Sequence, residues 1–340
     1  MNDYPQVLGA LLRGVDMSAA DTARTIGAIM DETLSPVRSA ALLAALAAKG
    51  ETVEEIVGAA AAMRERSVRV VHDLPLVIDV CGTGGDGAQT LNISTAAALV
   101  VAGAGVPVAK HGNRAASSAC GSADVLEALG VKLERSPEAS ARLLRAANIT
   151  FLFAQFHHPA MRAVGPIRRE LGVRTIFNLL GPLTNPAGAT RQVVGVAAAR
   201  HVELLAAALR GLGTVAGAVV HAQSGLDEIA GDGPTHIAQF DRTGIHRWTL
   251  VPGDYGIAAS RADLRGGDPA TNARALVAIL DGERSPRADV VCLNAALALV
   301  VAGESVDIRD GLIRARASVE RGAARAALDA LRAAHEMEYA

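Results

Sequence analysis

The chain has 340 residues, of which half are hydrophobic, and a formal net charge of −2. This length and apolar content suffice for one large or two smaller domains with a substantial core, and two unequal domains fit best. No apolar stretch reaches the roughly 18 residues that a membrane helix needs. Charged residues also interrupt the N-terminal segment, where a signal peptide would be apolar. We therefore expect a cytoplasmic protein with no membrane partner.

Lysines and arginines are scattered along the chain rather than gathered in a basic stripe. A general nucleic-acid binder needs such a stripe to neutralise phosphates, so we expect no nucleic-acid partner. The three cysteines, Cys81, Cys120 and Cys292, are odd in number and show neither C-x-x-C spacing nor a neighbouring histidine cluster. Buried, reduced thiols are the favoured interpretation.

The N-terminal part of the chain predicts helices only. Ser35 is a helix N-cap followed by proline, and it opens a helix rich in alanine and leucine. Thr52 and Glu55 fit a capping box that begins the next helix. Small residues along these helices permit close packing within the domain or across a dimer interface. We predict a helical dimerisation domain over residues 1–72, joined by helices near residues 160–185.

From Leu76 onward, short apolar runs alternate with amphipathic helices. This alternation is typical of an α/β domain with a mostly parallel central sheet and flanking helices, which we assign to residues 73–340. The last part of this domain, from about residue 269, is predicted to be helical again. The predicted strands are 76–81, 106–109, 150–153, 192–197, 216–221 and 235–240, and the predicted helices between them are 94–104, 122–129, 137–146 and 202–212.

The most informative motif is Gly-Thr-Gly-Gly-Asp-Gly at residues 82–87, between a predicted strand and a predicted helix. Its glycines let the backbone fold back and present N–H groups to an anion, and the helix N-terminus adds further donors. The spacing formally satisfies the dinucleotide fingerprint, but Asp86 would repel a bare pyrophosphate. An acid here fits a divalent cation or a ribose hydroxyl lying between it and the phosphates. A glycine turn without a ligand is the alternative.

A second polar loop follows the next predicted strand and contains Lys110, His111, Asn113 and Arg114. Two cations, an imidazole and an amide on one glycine-bent loop suit a multiply charged phosphate ligand. Open α/β sheets place their ligands at this end of the strands. Ser122 begins the next predicted helix, either as its N-cap or as a phosphate contact.

Two adjacent acids, Asp227 and Glu228, follow the strand predicted at 216–221. Carboxylates at the carboxyl end of a strand can hold Mg²⁺, and adjacent side chains in a loop can reach two ions. Two solvated loop acids are the alternative. The phosphate-type loops elsewhere in the same sheet favour the metal site.

Three further features are ambiguous by themselves. The segment 177–186 contains two prolines, which indicates a rigid connection that either walls an aromatic-acid pocket or crosses between domains. Arg168 either pairs with a substrate carboxylate or is an ordinary surface arginine. His157 and His158 have no acid or cysteine at ligand spacing, which favours polar loop or capping residues.

Taken together, GTGGDG with NIST, KHGNR, FNLLGPLTNP and GLDE resemble the anthranilate phosphoribosyltransferase family, whose members join anthranilate to phosphoribosyl pyrophosphate (PRPP) in tryptophan biosynthesis. The blocks stand in the family's order, and the helical ends of the chain are similar too. The resemblance implies a small helical domain, an α/β domain like that of pyrimidine nucleoside phosphorylases, and a homodimer formed through the helical domain. Gln155 is a departure, because family members often have proline after Phe-Ala.

The resemblance also implies roles for individual residues. Two Mg²⁺ ions per subunit would be held by Ser94, Asp227 and Glu228. Anthranilate would be held by Gly82, His111, Asn113, Arg168 and Pro182, and positioned by Asn113 and Arg168. The residues implied to contact PRPP are Gly82, Gly85, Asp86, Thr90, Asn92, Ile93, Ser94, Thr95, Lys110, His111, Gly112, Asn113, Arg114, Ala115, Ala116, Ser117, Ser118 and Ser122.

The implied reaction displaces pyrophosphate from the ribose through an oxocarbenium-like transition state, so stabilising the leaving group is the main catalytic task. An aromatic amine is already neutral at pH 7, and we therefore predict positioning without a general base. A nucleoside phosphorylase on the same fold is one alternative, but it would carry a Lys-x-Ser phosphate loop. A non-catalytic homologue that binds nucleic acid is another, and it would lack the metal acids. Whether Asp86 contacts a metal-bound water or the ribose stays open.

Overall fold

The computed structural model describes residues 3–115, 119–133 and 136–333. Four helices come first, and a seven-stranded sheet with flanking helices follows. None of the helices within these residues is both long and apolar enough to cross a lipid bilayer. The N-terminal helices are α1 (Tyr4–Leu12), α2 (Ala19–Met30), α3 (Pro36–Lys49) and α4 (Val53–Glu65).

Side-chain caps start α3 and α4 where the sequence predicts them. Ser35 accepts a hydrogen bond from the Arg38 N–H, with proline at the first helical position. Thr52 and Glu55 bond reciprocally in a capping box. Such caps satisfy N–H groups that have no partner inside the helix. Both predictions of helix starts are confirmed.

The sheet has the strand order 3-2-1-4-5-6-7. The first five strands along the chain are parallel to one another, whereas the fifth pairs with the sixth, and the sixth with the seventh, in antiparallel orientation. Along the chain, the second and third strands are added on one side of β1, and the remaining four are added on its other side. The carboxyl ends of β1 and β4 therefore form the switch point where such sheets bind ligands. The strands are β1 (Ile78–Gly82), β2 (Val108–Gly112), β3 (Ile149–Phe153), β4 (Arg191–Gly195), β5 (Ala216–Ala222), β6 (Thr235–Phe240) and β7 (Ile245–Leu250).

The predicted mostly parallel sheet is confirmed, but β2 lies later in the chain than the predicted 106–109. Lys110 and His111 are strand residues paired in register with Phe151 and Leu152, rather than loop residues. Both are buried. Their polarity suggested a loop, whereas the backbone continues the ladder and buried partners satisfy the side chains.

Helices cover the sheet and make up the rest of the α/β part. They are α5 (Ile93–Gly103), α6 (Ser122–Ala128), α7 (Pro137–Ala147), α8 (Ala154–His157), α9 (Met161–Leu171), α10 (Phe177–Leu180), α11 (His201–Gly211), α12 (Pro269–Leu280), α13 (Pro286–Ala302), α14 (Ile308–Glu320) and α15 (Ala323–Ala333). Nearly every residue of α5 and α13 is buried, and these two helices pack on each other. The predicted helical C-terminal part is confirmed.

The segment from α9 to α10 packs against α2, α3 and α4. Phe177 and Leu180 are buried in one apolar cluster with the N-terminal helices. The segment 177–186, predicted as a rigid connection rather than a core helix, instead contains a helical turn and a 3₁₀ turn with buried side chains. Its apolar residues face the helical part of the molecule. The division of the chain at residue 72 stays a prediction.

Candidate active site

A cleft of about 530 Å³ opens at the carboxyl ends of β1 and β2. The glycine loop and the acids at 227 and 228 line one wall, which we call the donor wall. Side chains from α4, α8, α9 and α10, together with His111, line the opposite wall, which we call the acceptor wall. The cleft therefore lies between the sheet and the helical layer.

The cleft brings nearly all the predicted site residues together. Ile93 is the exception, because its side chain is fully buried in the core and its N–H donates to the Leu91 carbonyl. The Ile93 side chain is therefore not placed to contact PRPP, contrary to the prediction. Ala116, Ser117 and Ser118 lie outside the described residues. The predicted residues that line the cleft are Gly82, Gly85, Asp86, Thr90, Asn92, Ser94, Thr95, Lys110, His111, Gly112, Asn113, Arg114, Ala115, Ser122, Arg168, Pro182, Asp227 and Glu228.

The glycine loop is held against the acids of the donor wall. Gly84 and Gly85 have φ of +62° and +81°, a backbone conformation that favours glycine. The Gly84 N–H donates to Oδ2 of Asp227 at 2.8 Å. Asp86 lies within hydrogen-bond reach of Asp227 and accepts from the Ala88 N–H at 3.1 Å. The loop thus places two carboxylates beside each other.

The acids of the donor wall repel one another. Burial, with the charge of Asp86 added to it, raises the pKa of Asp227 to about 6. Burial and the charge of Asp227 raise the pKa of Glu228 well above its ordinary value. Glu228 also accepts from the Ser94 N–H at the start of α5, at 2.9 Å. Burial and mutual repulsion therefore both oppose the ionisation of these acids together.

Lys110 is a buried cation beside these acids. Its Nζ donates to the Val80 carbonyl at 2.6 Å and to Oγ of Ser94 at 3.3 Å. Burial lowers the pKa of Lys110, and the buried Asp79 opposes that shift. Lys110 therefore bridges β1 and the first turn of α5 instead of pointing freely into the cleft.

The oxygen atoms of the donor wall fit a divalent cation. A hydroxyl and two or three carboxylates are hard donors of the kind that Mg²⁺ prefers, and their mutual repulsion favours a cation between them. Among the described residues, no group of three or more His, Cys, Asp or Glu side chains forms a metal site by itself. Mg²⁺ typically completes its coordination with water and substrate phosphates, so this partial set suits an ion that binds with a phosphate ligand.

A buried network under the cleft fixes the end of β2. Asp79 accepts hydrogen bonds from the His111 N–H at 3.1 Å and from Nδ2 of Asn185 at 2.8 Å. Nδ2 of Asn185 also donates to the Ala109 carbonyl at 2.8 Å. Sequence reasoning missed both Asp79 and Asn185. An acid inside the apolar run that predicts β1 was the available signal, because a buried carboxylate needs dedicated partners.

The loop after β2 is held by α6. Arg114 forms ion pairs with Asp124 and Glu127, at 3.1 and 2.8 Å. Its guanidinium is therefore occupied, which weakens its prediction as a phosphate contact. Gly121, not Ser122, is the N-cap of α6, and Oγ of Ser122 donates to the Asn113 carbonyl at 3.2 Å. The N-cap alternative for Ser122 is wrong.

Two buried histidines meet on the acceptor wall. Nδ1 of His111 donates to the Gly181 carbonyl at 3.1 Å, and the His111 and His158 rings lie 5.1 Å apart. Burial, followed by the influence of His158, lowers the pKa of His111 well below its ordinary value. Burial lowers the pKa of His158 to about 4. Both rings are therefore neutral at pH 7, and Nε2 of His111 is a buried acceptor without a hydrogen-bond partner in the described residues.

The prediction that His157 and His158 are polar loop or capping residues is confirmed for their position, because His157 lies in the last turn of α8 and His158 is its C-cap. It does not account for their burial. Both are buried, and Nδ1 of His157 donates to the Val68 carbonyl at 2.7 Å. His158 lines the cleft. The sequence around these histidines does not indicate their burial, because the residues that enclose the rings come from distant segments.

Two arginines and an amide reach the cleft from the helical layer. Arg168, on α9, has its pKa lowered by burial and then by the nearby Arg174, a residue that the sequence analysis did not single out. In the part of the chain that the structure describes, neither guanidinium has an acid within ion-pair distance. Nε2 of Gln155 donates to Oδ1 of Asn113 at 3.4 Å. Apolar surface comes from Met63, Met161 and Phe177. The acceptor wall suits an aromatic anion.

Comparison with known protein families covers nearly the whole chain. The helical bundle domain of a glycosyl transferase family matches residues 5–67, and the a/b domain of a glycosyl transferase family matches residues 74–325. Anthranilate phosphoribosyltransferase from Anaeromyxobacter dehalogenans strain 2CP-C is 52% identical over 328 residues, which are 96% of this chain and 97% of that protein. The same enzyme from Chloroflexus aggregans is 53% identical and covers 94% of each chain.

Solved structures agree with this relationship. Anthranilate phosphoribosyltransferase from Thermus thermophilus superposes with a TM-score of 0.91 at 42% identity, covering 96% of this chain and 98% of that one. The Saccharomyces cerevisiae enzyme in complex with PRPP and Mg gives 0.90 at 28% identity, with 98% of both chains covered. Its complex with 4-fluoroanthranilate gives 0.89 at 26% identity, over 98% of this chain and 97% of that one.

Proposed function

The chain belongs to the anthranilate phosphoribosyltransferase family, and from this premise we propose how its cleft carries out the family's reaction. The enzyme transfers the phosphoribosyl group of PRPP to the amine of anthranilate, giving N-(5-phosphoribosyl)anthranilate and pyrophosphate in tryptophan biosynthesis. One observation carries the proposed mechanism: a single cleft has a donor wall made of the glycine loop and acids, and opposite it an acceptor wall with Arg168, which has no ion pair with an acid among the described residues.

PRPP would lie along the donor wall, with its diphosphate on the N–H groups of the glycine loop and the first turn of α5. Ser94, Asp227 and Glu228 would hold Mg²⁺, in two ions per subunit. When bound at these residues, the metal would supply positive charge for the departing pyrophosphate. Lys110 holds Ser94 in place for this role through its hydrogen bond.

Anthranilate would lie against the acceptor wall. Arg168 would bind its carboxylate in a bidentate pair, and Pro182 would border its ring. Asn113, just after the end of β2, would lie between the two substrates. Nε2 of the neutral His111 would accept a hydrogen bond from the amine, which turns the nitrogen lone pair toward the ribose. Because the amine is already neutral, these residues act by positioning and no general base is needed for attack.

Loss of anthranilate fluorescence tests the proposed reaction directly. We expect the signal to fall only when PRPP, Mg²⁺ and the protein are all present, and chelation of the metal should stop the loss. Activity that persists after chelation would remove the metal from the mechanism. No loss of signal with all components present would overturn the proposed function.

We also propose that the molecule is a cytoplasmic homodimer formed through the helical domain of residues 1–72. Leu12, Val15 and Val37 support this, because they expose apolar side chains on or beside the N-terminal helices. Light scattering on the purified chain should give twice the monomer mass. Placing a charge at Val37 should lower that mass if these helices form the interface.

A further inference from the structure

Arg174 lies in the connection between α9 and α10, at a point where the backbone is fixed. Gly172 ends α9 in the left-handed conformation. The Thr175 N–H then donates to Oδ1 of Asn178 at 2.9 Å. Thr175 and Ile176 are both buried. Buried neighbours and a side-chain hydrogen bond thus hold the backbone on one side of Arg174, and its exposed side chain reaches across the cleft.

The guanidinium of Arg174 packs directly on the glycine loop. A methyl group on Gly85 would overlap Nη1 and would lie 3.2 Å from Cζ of Arg174. The preceding residue, Gly84, is the one whose N–H donates to Asp227. Arg174 therefore comes from the helical layer but ends at the donor wall, close to the acids proposed to hold the metal.

Arg174 also keeps its N–H donors available at this loop. Within the described ranges it has neither an ion pair nor a hydrogen bond from its guanidinium. Lys110 is occupied by a carbonyl and a hydroxyl, and Arg114 by two acids. Arg174 also lies near Arg168, whose pKa is lowered by burial and then by the charge of Arg174, so the two guanidinium groups repel each other. Its fork of N–H donors suits the oxygens of a phosphate.

We propose that Arg174 binds the diphosphate of PRPP and the pyrophosphate that leaves, and that it thereby joins the α9–α10 connection to the glycine loop. This assignment rests on the proposed function for its substrate. It gives different roles to the two arginines of the cleft that have no ion pair with an acid among the described residues. Arg168 binds the carboxylate of the acceptor, and Arg174 binds the phosphates of the donor.

The experiment compares Arg174→Gln with Arg169→Gln, an exposed arginine of α9 outside the cleft. Calorimetry measures binding of pyrophosphate with Mg²⁺ to the full chain, and steady-state kinetics measures KM for each substrate. We expect Arg174→Gln to weaken pyrophosphate binding ~10- to 100-fold and to raise the KM of PRPP, while the KM of anthranilate changes less than about twofold. Arg169→Gln should behave as the wild type.

Arg174→Lys keeps the charge without the fork and should restore part of the affinity. Unchanged pyrophosphate binding in Arg174→Gln, or a rise confined to the KM of anthranilate, would overturn the assignment. If both variants showed equal rises in the KM of PRPP and of anthranilate together with a lower Tm, the role of Arg174 would be structural. That result would also overturn the assignment. A wild-type chain without transferase activity would defeat the proposed function alone, because the dependence of pyrophosphate binding on Arg174 is measured separately.

Discussion

The donor wall of the cleft brings Asp86, Asp227 and Glu228 together, whereas the acceptor wall combines the guanidinium of Arg168 with two neutral histidines. Arg168 has no ion pair with an acid among the described residues. The acids of the donor wall repel one another and need a cation to stay ionised together at neutral pH. The acceptor wall needs no metal, because an anionic substrate completes its charge. The comparison teaches that one wall is built to bind a metal with its substrate, and the other to bind its substrate through side chains alone.

The largest effect should come from neutralising the donor wall. Asp227→Asn combined with Glu228→Gln removes the proposed metal ligands, and we expect kcat to fall at least ~100-fold. The Tm should hold or rise, since neighbouring carboxyl groups that oppose each other's ionisation are replaced by neutral amides. A magnesium titration of activity with a thermal melt measures both. Asp232→Asn, an exposed acid of the same loop region, is the control. Activity that keeps its magnesium dependence in the double variant would break the contrast between the walls.

On the acceptor wall, Arg168→Gln should raise the KM of anthranilate ~10- to 100-fold, because a bidentate pair with its carboxylate is lost. The KM of PRPP should change little. Kinetics with each substrate varied in turn measures the difference. If both KM values rise equally, the two walls are not separate binding surfaces.

The neutral histidines should make stability fall in mild acid. His158 has a pKa of about 4 in the folded chain and an ordinary value of 6.5, so between these values the unfolded chain binds more protons. The free energy of unfolding should therefore drop by about 2 kcal/mol from pH 7 to pH 5 through this residue. Urea unfolding at both pH values measures the drop.

His158→Gln should reduce that drop, while His246→Gln, which replaces an exposed histidine, should leave it unchanged. An identical pH dependence in His158→Gln and the wild type would show that this histidine does not stay neutral on folding. The acceptor wall would then not be the neutral surface described above.

The smallest effect concerns Gln155. Its hydrogen bond to Asn113 is long, at 3.4 Å, and solvent reaches it. Gln155→Leu should raise the KM of anthranilate about two- to fivefold by freeing the Asn113 amide. A larger change in the KM of PRPP would place Gln155 with the donor wall instead. Competition between anthranilate and substituted anthranilates would sharpen the result.

Much of the fold follows from local patterns in the sequence. The caps at Ser35 and Thr52 and the apolar runs of β1 and β6 are local signals, and the structure places those elements close to their predicted positions. β2 was misplaced because Lys110 and His111 are polar. Only their partners, in β1 and in the segment after α10, explain why they are buried.

The residues of the candidate site also fall into those that local sequence patterns predict and those that only the folded structure reveals. Motifs within one stretch of chain predicted the glycine loop and the adjacent acids. Arg174 belongs to no motif, and it reaches Gly85 from a distant segment, so nothing local indicates the contact. The ion pairs that occupy Arg114 arise from residues on the following helix that carried no recognisable signal.

Two glycines at the ends of neighbouring strands limit how this enzyme can be redesigned. Gly82 and Gly195 lie side by side in register, and the chain at Asp227 crosses both. A methyl group on Gly82 would lie 2.5 Å from Oδ2 of Asp227, and one on Gly195 would overlap the Asp227 carbonyl. Library design should therefore hold both positions and the acids fixed. New acceptor specificity is better sought at Met161 of the acceptor wall, which is only partly buried, than at Met63 and Phe177, which are buried in the apolar core.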